Sequence, residues 1–342
     1  MSQREQLSNF AEIRSLLKEL PGPDEAAAQA AAARQGVLTK PAGALGRLED
    51  LAIWLARWQG RHPPTLKRPY AAVFAGNHGV AARGVSAYPA EVTKQMVRNF
   101  IDGGAAINQL AKLAEADLRV YELDLDTPTR DFTDDAAMQE SECVNAMAYG
   151  MMAVEPGIDV LALGEMGIGN TTSAAALSHA LFGGPLEDWV GRGTGIDDAS
   201  LDRKISVVAA GAARHGKYFD DPLEILRRLG GLELAAIAGA VIAARLAGTP
   251  VLLDGYACTA AAAVLYRLDP TALDHCAAAH CSVEPGHRRL LRAIGKEPLL
   301  DFGMRLGEAS GAALAIQILK AACACHNDMA TFDEAGVSGR VD

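Results

Sequence analysis

Aromatic residues make up only 5% of this 342-residue sequence, and cysteine occurs six times. Six cysteines in a chain this long do not form a disulfide framework, so a reducing, cytoplasmic setting is the simpler expectation. Two groups bring His and Cys close together in sequence: His275-Cys276 with His280-Cys281, and Cys323 with Cys325 and His326. Neither has a spacing that puts metal ligands on one face, so core packing is expected and no metal. Positive charge is in deficit as well. A formal net charge of -10 argues against nucleic acid and against an anionic membrane as partners. Long apolar runs are missing. The most apolar stretch, 234–244, lies between Glu233 and Arg245 and falls well short of the roughly 20 residues a bilayer span needs; it reads as a buried helix. The segment MSQREQLSNF has no apolar core of the kind a secretory signal carries, and export is not expected.

Glycine, by contrast, is plentiful at 34 residues, and the balance of 50% hydrophobic to 22% charged residues is that of a globular chain. Up to about residue 60 the pattern is helical only. Asn9 is placed to cap a helix reaching about Leu20, and Asp24 a second that Gly36 closes; a third runs from about Ala44 to Gln59. After the linker Gly60–Pro64, short β-branched runs alternate with glycines and helical stretches. The predicted strands are Tyr70–Ala75, Leu118–Leu123, Val160–Leu163, Val251–Leu253 and Ala277–Cys281. Strands alternating with helices imply crossovers, hence an α/β fold with a mostly parallel sheet covered on both faces. A last helix, about Ser310–Cys325, is placed to pack back on the N-terminal helices, and the tail after Asn327 is expected to be loosely ordered. The expected division is a helical unit of residues 1–64, completed by about 316–342, and an α/β unit of 65–315.

Ligands of such sheets sit beyond the carboxyl ends of the strands, so the residues after each strand are the candidates for chemistry. Behind Val160–Leu163 comes Gly164-Glu165-Met166-Gly167-Ile168-Gly169-Asn170-Thr171-Thr172, with a helix expected from about Ser173. Glycines let the backbone approach a ligand, and the N–H groups of a following helix bind phosphate. The loop has a P-loop skeleton, but Asn170 stands where the phosphate-binding Lys belongs, which argues against a nucleoside triphosphatase. A dinucleotide fingerprint is absent too, since Gly76-Asn77-His78-Gly79 has another spacing. A second loop, Gly191-Arg192-Gly193-Thr194-Gly195, adds a cation, and Lys204 follows at what reads as a helix start; Arg192 or Lys204 is expected to reach a phosphate. Asp254-Gly255-Tyr256, Ser282-Val283-Glu284-Pro285-Gly286-His287 and Leu306-Gly307-Glu308-Ala309-Ser310-Gly311 have the same strand-end look.

Together with Leu38-Thr39-Lys40-Pro41, Gly46-Arg47-Leu48-Glu49, the run GVSAYP at 84–89 and GGAAIN at 103–108, the segments GEMGIGNTT, GRGTGIDD, PVLLDGY, EPGH and RLGEASGAALA follow the order of one family. From about Leu38 to Leu319 the chain closely resembles the nicotinate-nucleotide:dimethylbenzimidazole phosphoribosyltransferases. That resemblance implies transfer of the phosphoribosyl group of nicotinate mononucleotide to 5,6-dimethylbenzimidazole, giving α-ribazole 5'-phosphate and nicotinate for cobalamin. It also implies a cytoplasmic homodimer, a Rossmann-like parallel sheet, a small helical domain from both chain ends, and no cofactor. Glu308 matches the family's base and Glu165 a second carboxylate near the reacting centre, with a helix start at Ser310 expected to favour ionised Glu308. Phosphate and ribose would fall to Gly167, Gly169, Asn170, Thr171, Arg192, Gly193 and Lys204. The base would fall to His78, Ser86, Tyr88, Met166 and Leu306, with Ala90 where many members carry Gln. A hydrolase using the same loops with water, or a non-catalytic benzimidazole-binding protein, are the alternatives.

Overall fold

The structure is a computed structural model and describes residues 7–339. Three helices come first, α1 (Phe10–Lys18), α2 (Glu25–Gln35) and α3 (Arg47–Gln59). Asn9 and Asp24 cap the first two through their side chains, accepting from the N–H groups of Glu12 and Ala27. The third starts later than the pattern suggests because Gly43 and Gly46 take positive φ, 73° and 53°, and hold a turn ahead of it. There follow β1 (Pro69–Gly76), α4 (Glu91–Asp102), α5 (Ala106–Leu113), β2 (Asp117–Leu123), α6 (Glu140–Met151) and β3 (Val160–Met166). Next come α7 (Asn170–Phe182), α8 (Asp198–His215), α9 (Pro222–Leu229), α10 (Leu232–Leu246), β4 (Val251–Leu253) and α11 (Tyr256–Leu268). The chain closes with β5 (Cys276–Ala278), α12 (Pro285–Ala293), α13 (Ser310–Asp328) and α14 (Phe332–Ala335).

The five strands form one parallel sheet in the order β2-β1-β3-β4-β5. The order reverses between β1 and β3, which opens a crevice at their carboxyl ends. Strand β3 outruns the predicted Leu163 because Gly164, Glu165 and Met166 continue the ladder against Val73, Phe74 and Ala75 of β1. Glu165 is therefore held by a strand and not by a loop. Alternation splits the core into two layers. Tyr70, Ala72 and Phe74 face α1, α6, α7, α10 and α11, while Ala71 and Val73 face α3, α5 and α13. Helix α10 is buried on every side, as its apolar run predicts. It crosses α6 at Gly239 and Gly150, where an added Cβ would overlap the carbonyls of Met147 and Ala236.

The two chain ends meet beside α3. Arg34 donates to the carbonyls of His326, Asn327 and Met329, and Leu38 pairs with Thr331. Helix α1 goes elsewhere: Phe10, Ile13 and Leu17 form one apolar face, and it is buried in the opposite layer of the core. The tail after Asn327 departs from the expected looseness. It carries α14, fixed by a reciprocal cap between Thr331 and Glu334. The His/Cys groups divide: His275 Nε2 bonds the Val241 carbonyl at 3.0 Å and His326 lies between Gln35 and His62, whereas His280 lines a cavity. Among the described residues no helix is long and apolar enough to cross a membrane.

Candidate active site

A cavity of about 690 Å³ lies beyond the carboxyl ends of β3 and β4, on the side where the strand order reverses. One wall is the turn into α7. Gly169 sits at φ 93°, and the helix begins at Asn170, three residues before the predicted start, so its positive end opens on the cavity. Gly167, Gly169, Asn170, Thr171 and Gly193 all line it.

The two expected cations occupy different places. Lys204 lies seven residues into α8 and not at its start, fully buried beneath the loops, where its ammonium donates to Thr171 Oγ1 at 2.8 Å and the Gly191 carbonyl at 3.0 Å. Burial lowers its pKa to about 8, and the Glu284 carboxylate opposes that shift. Its role is to brace the wall. Arg192 turns outward, held by the Asp198 carboxylate and the Ile196 carbonyl, and is not among the lining residues. The guanidinium that does line the cavity belongs to Arg305, which donates to the Gly193 carbonyl at 3.0 Å.

Ser86, Tyr88, Met166 and Leu306 also line the cavity, with Ser86 Oγ 3.1 Å from Thr194 Oγ1. Ala90 sits just before α4 and does not reach the lining, whereas Val92 does. His78 does not line the pocket either. It is buried below the Gly167 turn, with Nε2 2.6 Å from Glu233 Oε1 and Nδ1 3.1 Å from Ser173 Oγ. The side chain is held there by Glu233 on α10 and Ser173 on α7, partners distant in sequence.

Glu308 and Glu165 come together as expected. Gly307, Glu308 and Ala309 have φ of 82°, 63° and 61°, and for the two non-glycine residues a left-handed backbone costs roughly 1–2 kcal/mol each. The turn is retained by main-chain bonds, Glu308 N–H to the Glu165 carbonyl at 3.2 Å and Ser310 N–H to that of Gly307 at 3.0 Å. Gly164 has to be glycine because an added Cβ would overlap the Ala309 backbone. Burial, and then the nearby Asp254 carboxylate, push Glu308 up to about 7, which overrides the ionising influence expected from the start of α13. Glu165 is pushed up to about 8 by burial, with Asp254, Glu233 and Glu308 adding to it and the Asn170 side-chain amide opposing. Burial thus favours its neutral form. Asp254, His280, Glu284 and Arg305 join the site without having been assigned to it from sequence: Asp254 and Glu284 stood in strand-end segments, His280 in a His/Cys pair read as core packing, and Arg305 is revealed only by its spatial neighbours.

A family model described as phosphoribosyltransferase (DBI_PRT) matches residues 20–337. A Rhizobium etli protein named nicotinate-nucleotide--dimethylbenzimidazole phosphoribosyltransferase is 56% identical over 331 residues, 97% of this chain and 98% of its own. One of the same name from Methylocella silvestris is 56% identical over 329 residues, 96% of each chain. The crystal structure of the Thermus thermophilus protein of that name superposes with a TM-score of 0.86 at 43% identity, covering 93% of this chain and 100% of that one. With the match spanning both loops, the left-handed Glu308 turn and the whole sheet, the chain belongs to the DBI_PRT phosphoribosyltransferase family.

Proposed function

We propose that this enzyme transfers the phosphoribosyl group of nicotinate mononucleotide to 5,6-dimethylbenzimidazole, with Glu308 as general base. One observation carries the reading: the Glu308 carboxyl lines the same cavity as the apolar side chains of Met166 and Leu306 and the N-terminus of α7. Benzimidazole attacks C1' through its pyridine-like nitrogen, and the ring would become cationic unless the other N–H loses its proton. Glu308 takes that proton as the new C–N bond forms. The old glycosidic bond breaks with its electron pair going to the nicotinate ring nitrogen, which leaves uncharged and needs no acid. Attack opposite the leaving group converts a β-nucleotide into an α-nucleotide.

The phosphate would lie against Gly167, Gly169 and Thr171 at the start of α7, with Arg305 as counter-charge and Lys204 bracing Thr171 from behind. This remote binding positions C1' for attack. Neutral Glu165 adds no charge to repel the base beside it. Tyr88 and Leu306 are more than half exposed at the rim, which supports a homodimer that covers them. Six unpaired cysteines support action in the reducing cytoplasm.

Incubating the enzyme with nicotinate mononucleotide, with and without dimethylbenzimidazole, tests the reaction. Nicotinate release that depends on the base, matched by α-ribazole 5'-phosphate, is expected. Release without base would make this a hydrolase, and binding without turnover a carrier.

A further inference from the structure

Helix α13 has no cap of its own. Its N-cap residue is Ala309, whose methyl side chain accepts no hydrogen bond, and the turn ahead of it is the left-handed run Gly307–Ala309. The missing acceptor comes from another element. Asp254, the residue directly after β4, is fully buried and accepts the Ala312 N–H on Oδ1 at 2.9 Å. Its other oxygen, Oδ2, has no hydrogen-bond partner. Across from it His280 Nε2 lies 3.7 Å from Oδ1, and neither ring nitrogen of His280 has a hydrogen bond. Gly311 leaves room for that ring, since an added Cβ would overlap it. A carboxylate with one committed oxygen thus stands between the strained turn and a histidine on the cavity wall.

We propose that Asp254 is a positioning residue for Glu308: from the end of β4 it caps α13 and so holds the left-handed turn that presents the Glu308 carboxylate to the cavity. The proposal rests on the reading of Glu308 as base. Burial raises the pKa of Asp254 itself, against the opposing influence of His280 and the α13 N–H groups; in its ionised form Asp254 opposes ionisation of Glu308, so that its removal would lower the pH at which Glu308 becomes a base. The other charged or titratable groups lining the cavity with Glu308 include Glu165 on β3, His280 beyond β5, Glu284 just before α12 and Arg305 on the preceding loop.

Asp254→Asn keeps an oxygen for the Ala312 N–H and removes the charge; Asp254→Ala removes both. With saturating substrates and Glu308→Gln measured in parallel, Asp254→Ala is expected to lose on the order of 10²-fold in kcat with nucleotide KM changed by less than about threefold, as for an interaction that serves only the transition state. Asp254→Asn is expected to recover most of that loss while the acid limb of its kcat profile moves to lower pH. An Asp254→Ala enzyme that folds and turns over within about threefold of the original would overturn the proposal. Should that variant fail to fold, an unshifted acid limb in Asp254→Asn overturns it. If Glu308→Gln is fully active the base itself is misassigned and the proposal falls with it; if Glu308→Gln is inactive while Asp254→Asn is unaltered, only the role of Asp254 falls.

Discussion

The backbone N–H of Glu308 donates to the carbonyl oxygen of Glu165 over 3.2 Å, so the two acidic residues of the cavity are tied through main chain and not through side chains. Their carboxyls are consequently held in one low-dielectric space and titrate against each other and against Asp254. Burial pushes both carboxyls well above the ordinary carboxylate range, Glu165 to about 8 and Glu308 to about 7.

Both pKa values lie above the ordinary 4.5, so between that value and about 8 the folded chain holds more protons than the unfolded one. This contribution to stability is complete below about 4.5 and is lost as pH rises through about 7 to 8. Thermal unfolding should therefore show a falling Tm between pH 5.5 and 8.5. Glu165→Gln should flatten that fall, gaining at least about 2 °C at pH 8.5 and nothing at pH 5. A uniform loss of Tm at both pH values would mean that ionisation of Glu165 is not what costs stability.

The parallel sheet, the caps at Asn9 and Asp24, and the buried α10 were all legible in the sequence because each rests on local chemistry: β-branched runs alternating with helical stretches, a side-chain acceptor, an unbroken apolar run. Pairing across strands was not. Nothing near Glu165 says that β1 will carry β3 on to Met166, and that extension is what aims the carboxyl. The glycine loops and Glu308 were visible through their motifs. Which cation faces the cavity depends instead on Asp198 drawing Arg192 away and on the 305–309 turn bringing Arg305 in, and neither pairing is written in spacing.

Gly169 is the hinge of the proposed phosphate wall, at φ 93° with Ala81 Cβ 3.3 Å from where a side chain would begin. A β-branched residue there costs roughly 1–2 kcal/mol of backbone strain before any crowding is counted. Gly169→Val should raise the nucleotide KM about tenfold or more, that strain being close to one decade. Affinity for dimethylbenzimidazole, measured by calorimetry, should change by less than about twofold. Equal loss of both ligands would remove the assignment of this turn to phosphate.

Two arginines separate the placements seen in sequence and in space. Arg192 is half exposed and paired with Asp198, so Arg192→Ala should leave steady-state constants within about twofold, in keeping with the small worth of exposed ion pairs. Arg305→Ala removes the charge-assisted donor on the cavity wall and should raise the nucleotide KM on the order of tenfold or more. Steady-state kinetics with the nucleotide varied decides between them. The reverse ranking would place the phosphate at the outer loop.

The sharpest expectation concerns Glu308, because its pKa of about 7 makes the chemistry visible in a pH profile. A protonated carboxyl cannot accept the benzimidazole proton, so kcat should rise about tenfold per pH unit below 7 and level off above it. Glu308→Gln keeps the size of the side chain and can still occupy the left-handed turn, since neither the main-chain bonds to Glu165 and Gly307 nor the Asp254 cap on α13 involves the Glu308 side chain. It cannot take a proton. Turnover should fall on the order of 10² to 10⁴-fold, the residual rate should lose its dependence on pH near 7, and nucleotide KM and Tm should stay close to those of the original enzyme. Single-turnover measurements are the appropriate check, since they isolate chemistry from product release. A variant that retains both the rate and the acid limb would exclude Glu308 as the base, whereas a loss of rate together with a collapse of Tm would mean that the carboxylate serves the turn and not the reaction.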